Sequence, residues 1–467
     1  MTLQRLRNVI PVTLSGEAHQ DSEPSLAVNP ANTDQMVATA FTPDLAKGPN
    51  APIFVSTDGG QTWTLRPVLP GNGPEGTRDI SASFAPNSGV LYVGILSPEV
   101  QNHETRLQIL RTSDFLSTAT MSVLVDRLGP DQPWVVASGI QAAPAPAVDR
   151  VYVGSNDADG ITRTATVDFS LDAGSAAPPA GFAPPHRLET DAAAIEDAPP
   201  VRLAIHPAGR IYAVYQRKTA VSELMSTFDV VITRDDGWGA DANPFSVLTE
   251  PGDGSVGRRV ASDLTAGFGS TMGQQRLTGD SAIAVDPTNP DVVWVAWGDQ
   301  PGGVTSPWTI HVRRSTDGGQ SWSGDLHSVT MATNPCLAVD AAGHLGFLCQ
   351  ALTGTGAAQR WETTFEVTAD GWNAQVTPTV LHRALAASPV ADFNPYIGDY
   401  AHLVTVGNNF YGVFSGSNHP DQANFPSFPH DGIYQRNVNW DTQQLLDLDG
   451  TTSVPDSIDP FFFAWTE

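Results

Sequence analysis

Six aspartates and one asparagine recur at the same place in a repeating unit, each just ahead of a short apolar run. They are Asp21 (HQDSEPSLAV), Asp79 (TRDISASFA), Asp131 (GPDQPWVVA), Asp197 (IEDAPPVRLAI), Asp280 (TGDSAIAV) and Asp399 (IGDYAHLVTV), with Asn334 (ATNPCLAV) in the sixth place. Carboxylates gathered in one ring have three uses. They can cap loop amides at the start of a strand, with water between them. They can bind a hard cation such as Ca²⁺ or Mg²⁺ through oxygen, with Asp21, Asp79, Asp131, Asp197, Asp280 and Asp399 as the ligand set. Or a pair can divide the labour of hydrolysing a glycosidic bond, one acid held protonated and the other ionised. Crowded like charges raise carboxyl pKa values, which suits the third use.

The neighbours of these acids extend the third reading. Glu23 follows Asp21 by two residues and shares its face of an extended strand. The catalytic candidates are therefore Asp21, Glu23, Asp79, Asp131, Asp197, Asp280 and Asp399. His19 and Arg78 stand beside ring acids, Trp134, Tyr396 and Tyr400 could stack on a sugar ring, and Arg258-Arg259 could hold an anionic substrate bidentately. A lyase reading would use His19 or Tyr396 as base and Arg78 to neutralise a uronate. A binding module would use the same residues without chemistry.

The elements that position the acids form a repeat. Strand–turn–strand units such as PSLAVNPANTDQMVATAF, RLAIHPAGRIYAVY and AIAVDPTNPDVVWVAW follow the acids, seven in all. Small Ala/Val/Leu runs suit a narrow inner strand, and Tyr/Trp/Phe-rich runs a wider second one. Each unit precedes a corner. Two corners are nearly identical, VSTDGGQTW (Val55–Trp63) and RSTDGGQSW (Arg314–Trp322); weaker echoes are RTSDF (from Arg111), TVDFS (from Thr166), TRDDGW (from Thr233), TADGW (from Thr368) and NVNWD (from Asn437). In such a corner Asp accepts hydrogen bonds from turn amides, Gly takes positive φ and Trp covers the bend. The repeat predicts an all-β protein: one seven-bladed β-propeller domain over 1–467, of four-stranded antiparallel blades. Its blades run roughly over 20–70, 78–127, 131–190, 196–249, 280–330, 334–382 and 398–467, with 1–18 completing the last and removing an open edge. The stretch Glu250–Gly279 reads as a long loop over one face, and His419–His430 as a second departure from the repeat.

The two full corners resemble the Asp-box of sialidases and related BNR-repeat proteins, Ser/Thr-x-Asp-x-Gly-x-Thr-Trp, through Ser56, Asp58, Gly60 and Trp63 and through Ser315, Asp317, Gly319 and Trp322. The resemblance implies a propeller with structural Asp-boxes on its outside and a glycan-active site on the opposite side. It stops short of the sialidase catalytic signature. The nearest match to the early Phe/Tyr-Arg-Ile-Pro motif is RNVIP, with Arg7 out of place, and neither the arginine triad nor the Tyr/Glu pair is assignable.

Composition narrows the partners. The formal charge is −26, and two of the 24 basic residues are lysines, so a nucleic-acid partner is not expected. A carbohydrate or glycoconjugate ligand, a monomer and an extracytoplasmic setting are expected. Met1–Glu17 lacks the apolar core of a signal peptide, and no apolar run is long enough to span a membrane. Phosphate loops, nucleotide fingerprints and a Gly-x-Ser-x-Gly elbow are absent. If Ala342-Gly343 is a two-residue turn, Cys336 faces Cys349 across a hairpin at a spacing a disulfide tolerates; two buried thiols are the other reading.

Overall fold

A computed structural model describes residues 1–41, 52–67, 78–98, 105–140, 148–159, 162–175, 181–189, 201–222, 225–267, 271–276 and 281–466. Among them the chain forms seven four-stranded antiparallel sheets and two smaller ones. Their innermost strands are, in order, Ser22–Val28, Ile80–Phe84, Pro130–Ile140, Arg202–Ile205, Ser281–Asp286, Ala332–Val339 and His402–Val406. Each of these strands packs beside the next, and the last returns to the first.

The core is divided in the same way. One apolar cluster fills each junction between consecutive sheets, from Ala27, Val37 and Val93 between the first and second to Leu26, Tyr411 and Phe462 between the seventh and first. The junctions between them are filled likewise, so the sheets close into a β-propeller around a central channel. The inner strands do read as small residues and the second strands as aromatic ones: Tyr92, Tyr152, Tyr212 and Trp294 are all buried.

Closure uses both chain ends. The seventh sheet is ordered Thr2–Asn8, Ile458–Thr466, Asn409–Ser417, His402–Val406, so the N-terminal segment supplies its outermost strand. A fully buried network locks the seam. Asp459 accepts hydrogen bonds from Asn8 (2.7 Å), Asn418 (2.9 Å) and Ser457 (2.7 Å). Arg436, 3.5 Å from Asp459, also donates to the carbonyls of Ser15 and Glu17.

The two matching corners are built alike. Ser56 Oγ donates to Asp58 and accepts from Gly60 N–H, while Asp58 accepts from the amide (2.9 Å) and hydroxyl (2.6 Å) of Thr62. Ser315, Asp317, Gly319 and Ser321 repeat every bond. Gly59 and Gly318 each bond the inner hairpin turn of their own sheet, at Asp34 and Asp291. The corners therefore lie at the end of the ring opposite the starts of the inner strands, and their aspartates are occupied in turn bonding.

Four expectations need correction. Arg258–Gly267 is the outer strand of the fourth sheet rather than loop, and a hairpin of Thr271–Met272 and Gln275–Arg276 follows it. The Thr166 echo lies inside the strand Thr162–Ser170, and the corner comes after it, where Ser170 Oγ caps Asp172 N–H. Asn437–Asp441 is no corner: it sits in a three-stranded excursion inserted before the last strand. Finally, Cys336 faces Leu348, not Cys349, because the turn spans Ala341–Gly343; the thiols are free, buried in different sheet junctions.

Candidate active site at the channel mouth

Three inner strands begin with the same distortion. Ser22-Glu23-Pro24, Asp131-Gln132-Pro133 and Thr333-Asn334-Pro335 each carry one residue more than the strand they pair with. Their middle residues adopt left-handed φ values of 54°, 50° and 54°. Such a bulge re-aims side chains at a sheet end, at a backbone cost of about 1–3 kcal/mol for a non-glycine residue. The sequence alignment of the ring is thereby shifted: Glu23 corresponds to Gln132 and Asn334, and Asp131 to Ser22. The repeated polar-Pro pair was the available signal, and Gln132 was missed.

The bulge and the neighbouring strand starts bring four acids together. Glu23, Asp79 and Asp399 are buried and Asp131 is half-buried. Glu23 and Asp79 are hydrogen-bonded to each other. Tyr400 OH donates to Asp79 Oδ1 at 2.9 Å, and Asp399 N–H donates to Glu23 Oε1 at 3.2 Å. Arg276 grips Asp399 through Nη2 (2.5 Å) and Nε (3.3 Å). Gly398, at φ 84°, lies so close that a Cβ there would fall 2.5 Å from Glu23 N, so the main chain itself covers Glu23.

The environment separates the two acids of the pair. Burial first, then the charges of Asp79 and Asp399, holds the Glu23 carboxyl protonated well above the ordinary range. Burial and the Asp131 charge push Asp79 up to about 6, against the hydrogen bonds from Tyr400 and Glu23 that favour its ionised form. Burial likewise pushes Asp399 up, against the pull of Arg276. The proton of the pair is thus held on Glu23 in preference to Asp79.

A cationic and aromatic floor lies beneath. The buried Arg202 guanidinium stacks 4.1 Å from the Trp134 ring and 5.3 Å from that of Tyr400. His402 packs 4.5 Å from Trp134, and its Nδ1 accepts from Leu26 N–H at 3.1 Å, which assigns the proton to Nε2. Burial and Arg202 push its pKa down to about 3, so it stays neutral. Below this floor runs the channel, about 360 Å³, lined mainly by Ala, Val and Leu of the inner strands.

The other candidates are dispersed. Asp21 is buried where its N–H meets the Ile458 carbonyl. His19 is half-exposed, 3.9 Å from Asp392, and Arg78 is exposed. Trp134, Tyr396 and Tyr400 are all buried, Tyr396 in a separate apolar cluster with Trp308 and Trp361. Arg259 is held by Asp229 (2.6 Å) and Asp253 (2.7 Å), and Arg258 reaches the Thr249 carbonyl (3.2 Å), so the loop expected to present them to a substrate does not exist. Asp197 and Asp280 lie outside the described residues. Arg202, Arg276 and His402 were missed; Arg202 alone left a trace, a charge inside an apolar inner-strand run.

Among the described residues no group of three or more His, Cys, Asp or Glu is arranged to hold a metal ion, Asp399 is paired with Arg276, and Asp197 and Asp280 of the expected ligand set lie outside those residues.

No protein-family model matches the chain, and no curated protein matches it. Solved structures do. The GH93 α-L-arabinofuranosidase of Fusarium graminearum, in complex with arabinobiose, aligns at 13% identity over 74% of this chain and 92% of its own, with a TM-score of 0.44. The Penicillium chrysogenum α-L-arabinanase complexed with arabinobiose aligns at 12% identity over 98% of both chains, with a TM-score of 0.45. The GH74 xyloglucanase from Xanthomonas campestris aligns at 17% identity over 84% of this chain and 56% of its own, with a TM-score of 0.39.

Proposed function

We propose that the chain is a seven-bladed, sialidase-like propeller of the Asp-box type, one domain over 1–467, and that it is a glycan-active glycoside hydrolase working outside the cytoplasm. The observation that carries the catalytic reading is the divided acid pair at the channel mouth: Glu23 held protonated beside an Asp79 carboxylate. In this reading Glu23 is the general acid for the glycosidic oxygen, and Asp79 holds its proton in place. A directly hydrogen-bonded pair is closer than the ~5 Å that separates the two working carboxylates of a glycosidase. The second carboxylate is therefore Asp131, half-buried beside them and close enough for its charge to act on Asp79 and Asp399.

One observation favours a second reading, a lectin-like module. Glu23, Asp79 and Asp399 each already have a protein partner, as a purely structural cluster would. The test incubates wild type and Glu23→Gln with an oligosaccharide library, reads products by mass spectrometry, and measures binding to the same glycans. We expect wild type to cleave, and the variant to lose about 10²–10⁴-fold in rate while still binding. Binding without cleavage by either protein establishes the lectin reading instead.

A further inference from the structure

The segment 386–401, which joins the sixth sheet to the seventh and ends in Asp399 and Tyr400, has no regular secondary structure. Its main chain is satisfied instead largely by side-chain amides from elsewhere, those of three glutamines and of Asn334, whose Nδ2 donates to Gly398 O at 3.2 Å. Gln20 donates to the carbonyls of Phe393, Pro395 and Tyr396 and accepts from Asp392 and Phe393 N–H. Gln274 donates to Ala386 and Pro389 carbonyls and accepts from Ala391 N–H. Gln275, fully buried, donates to Gly398 O (2.9 Å) and accepts from Ile397 N–H (2.8 Å). The next residue, Arg276, takes the Asp399 carboxylate. The hairpin that follows the fourth sheet, absent from the other sheets' connections among the described residues, therefore holds both the backbone and the side chain at Gly398-Asp399.

The geometry points to Gln275 as a positioning residue of the acid pair: it clamps Gly398 onto Glu23, keeping water from the Glu23 carboxyl and aiming Asp399 N–H at Glu23 Oε1. The chain of contact is short. Gly398 lies against Glu23 N and Cγ, Asp399 N–H bonds Glu23 Oε1, and Glu23 bonds Asp79. Among the described residues, the charged and titratable groups facing Glu23 are Asp79 from the second sheet, Asp399 and Tyr400 from the seventh and Arg276 from the hairpin, with Asp131 and Arg202 acting on those in turn. Burial is the largest influence holding Glu23 protonated, so lifting Gly398 must lower its titration midpoint. The functional meaning rests on the reading of Glu23 as proton donor, but the clamp does not.

The test needs no substrate. Carboxyl ¹³C NMR titration of the full chain assigns Glu23 by the resonance lost in Glu23→Gln. Gln275→Ala should move the Glu23 midpoint down by about one unit or more. Gln274→Ala, which frees the far part of the same segment, should leave it in place. Gln275→Met keeps the bulk and removes both hydrogen bonds to Gly398 and Ile397 without adding a charge. It should lower the Glu23 midpoint as the alanine does, and it carries the test if the alanine does not fold. An unmoved Glu23 midpoint, or an equal shift in Gln274→Ala, overturns the inference. If cleavage is found, the pH profile of kcat in Gln275→Ala should move with the midpoint; if none is found, the titration result stands on its own.

Discussion

Replacing Asp79 by Asn tests the electrostatics of the site through folding stability. Asp79 is raised from 3.8 to about 6, so the native state holds its proton more tightly than the unfolded chain does. The sign follows directly. Asp79 is protonated in both states well below pH 4, and its contribution is then fully present. As pH rises through about 6 the unfolded chain has already released the proton and the fold must release it at a cost, so stability is lost on the alkaline side. A shift of about two units corresponds to on the order of 3 kcal/mol. The amide introduced by Asp79→Asn would keep the Tyr400 hydroxyl as donor and carry no charge, so the stability of this variant relative to wild type should climb by that amount between about pH 4 and pH 8. Urea unfolding of both proteins across this range measures it. Parallel pH curves, or a variant that loses ground as pH rises, would refute the assignment of Asp79 as a strained carboxylate.

Other consequences are more local. Asp459→Ala leaves a fully buried Arg436 and three further donors without their acceptor, and should cost about 3–5 kcal/mol in chemical denaturation; a loss under about 1 kcal/mol would show that the seam does not lock the ring. Asp58→Ala and Asp317→Ala each remove equivalent turn bonds at the far end of the ring, so both should lower the unfolding midpoint, by about 1–2 kcal/mol in stability, and leave glycan binding or cleavage unchanged. Burial pushes the Cys349 thiol up to about 12. Neither cysteine should react with alkylating agent in the folded protein and both should react on unfolding without reductant, whereas a thiol pair that needs reduction first would contradict the register.

The propeller was legible in the sequence because its signals are local and periodic. A corner such as Ser56–Trp63 closes its own hydrogen bonds within seven residues, and an inner hairpin needs only apolar alternation and a turn. The closing role of the N-terminal segment followed from the same logic, since a ring of strands leaves an edge that a β-like end must cover. The errors came where one residue of register decides the outcome. Cys336 and Cys349 face different junctions because the turn is three residues long, and the ring alignment slipped because a bulge makes Glu23, rather than Asp21, the partner of Asn334.

By itself, then, the sequence determined the repeat, the two full corners and the presence of acids at several of the strand starts. Only the closed structure decided which acids meet. Glu23 touches Asp399 across 376 positions of chain, and Asp79 touches Tyr400 across 321, contacts that exist because the seventh sheet returns to the first. Their protonation was equally out of reach. It depends on burial by Gly398, on an arginine from a hairpin outside the repeat and on a second arginine within the floor that acts on Asp399, and these influences act through space rather than along the chain.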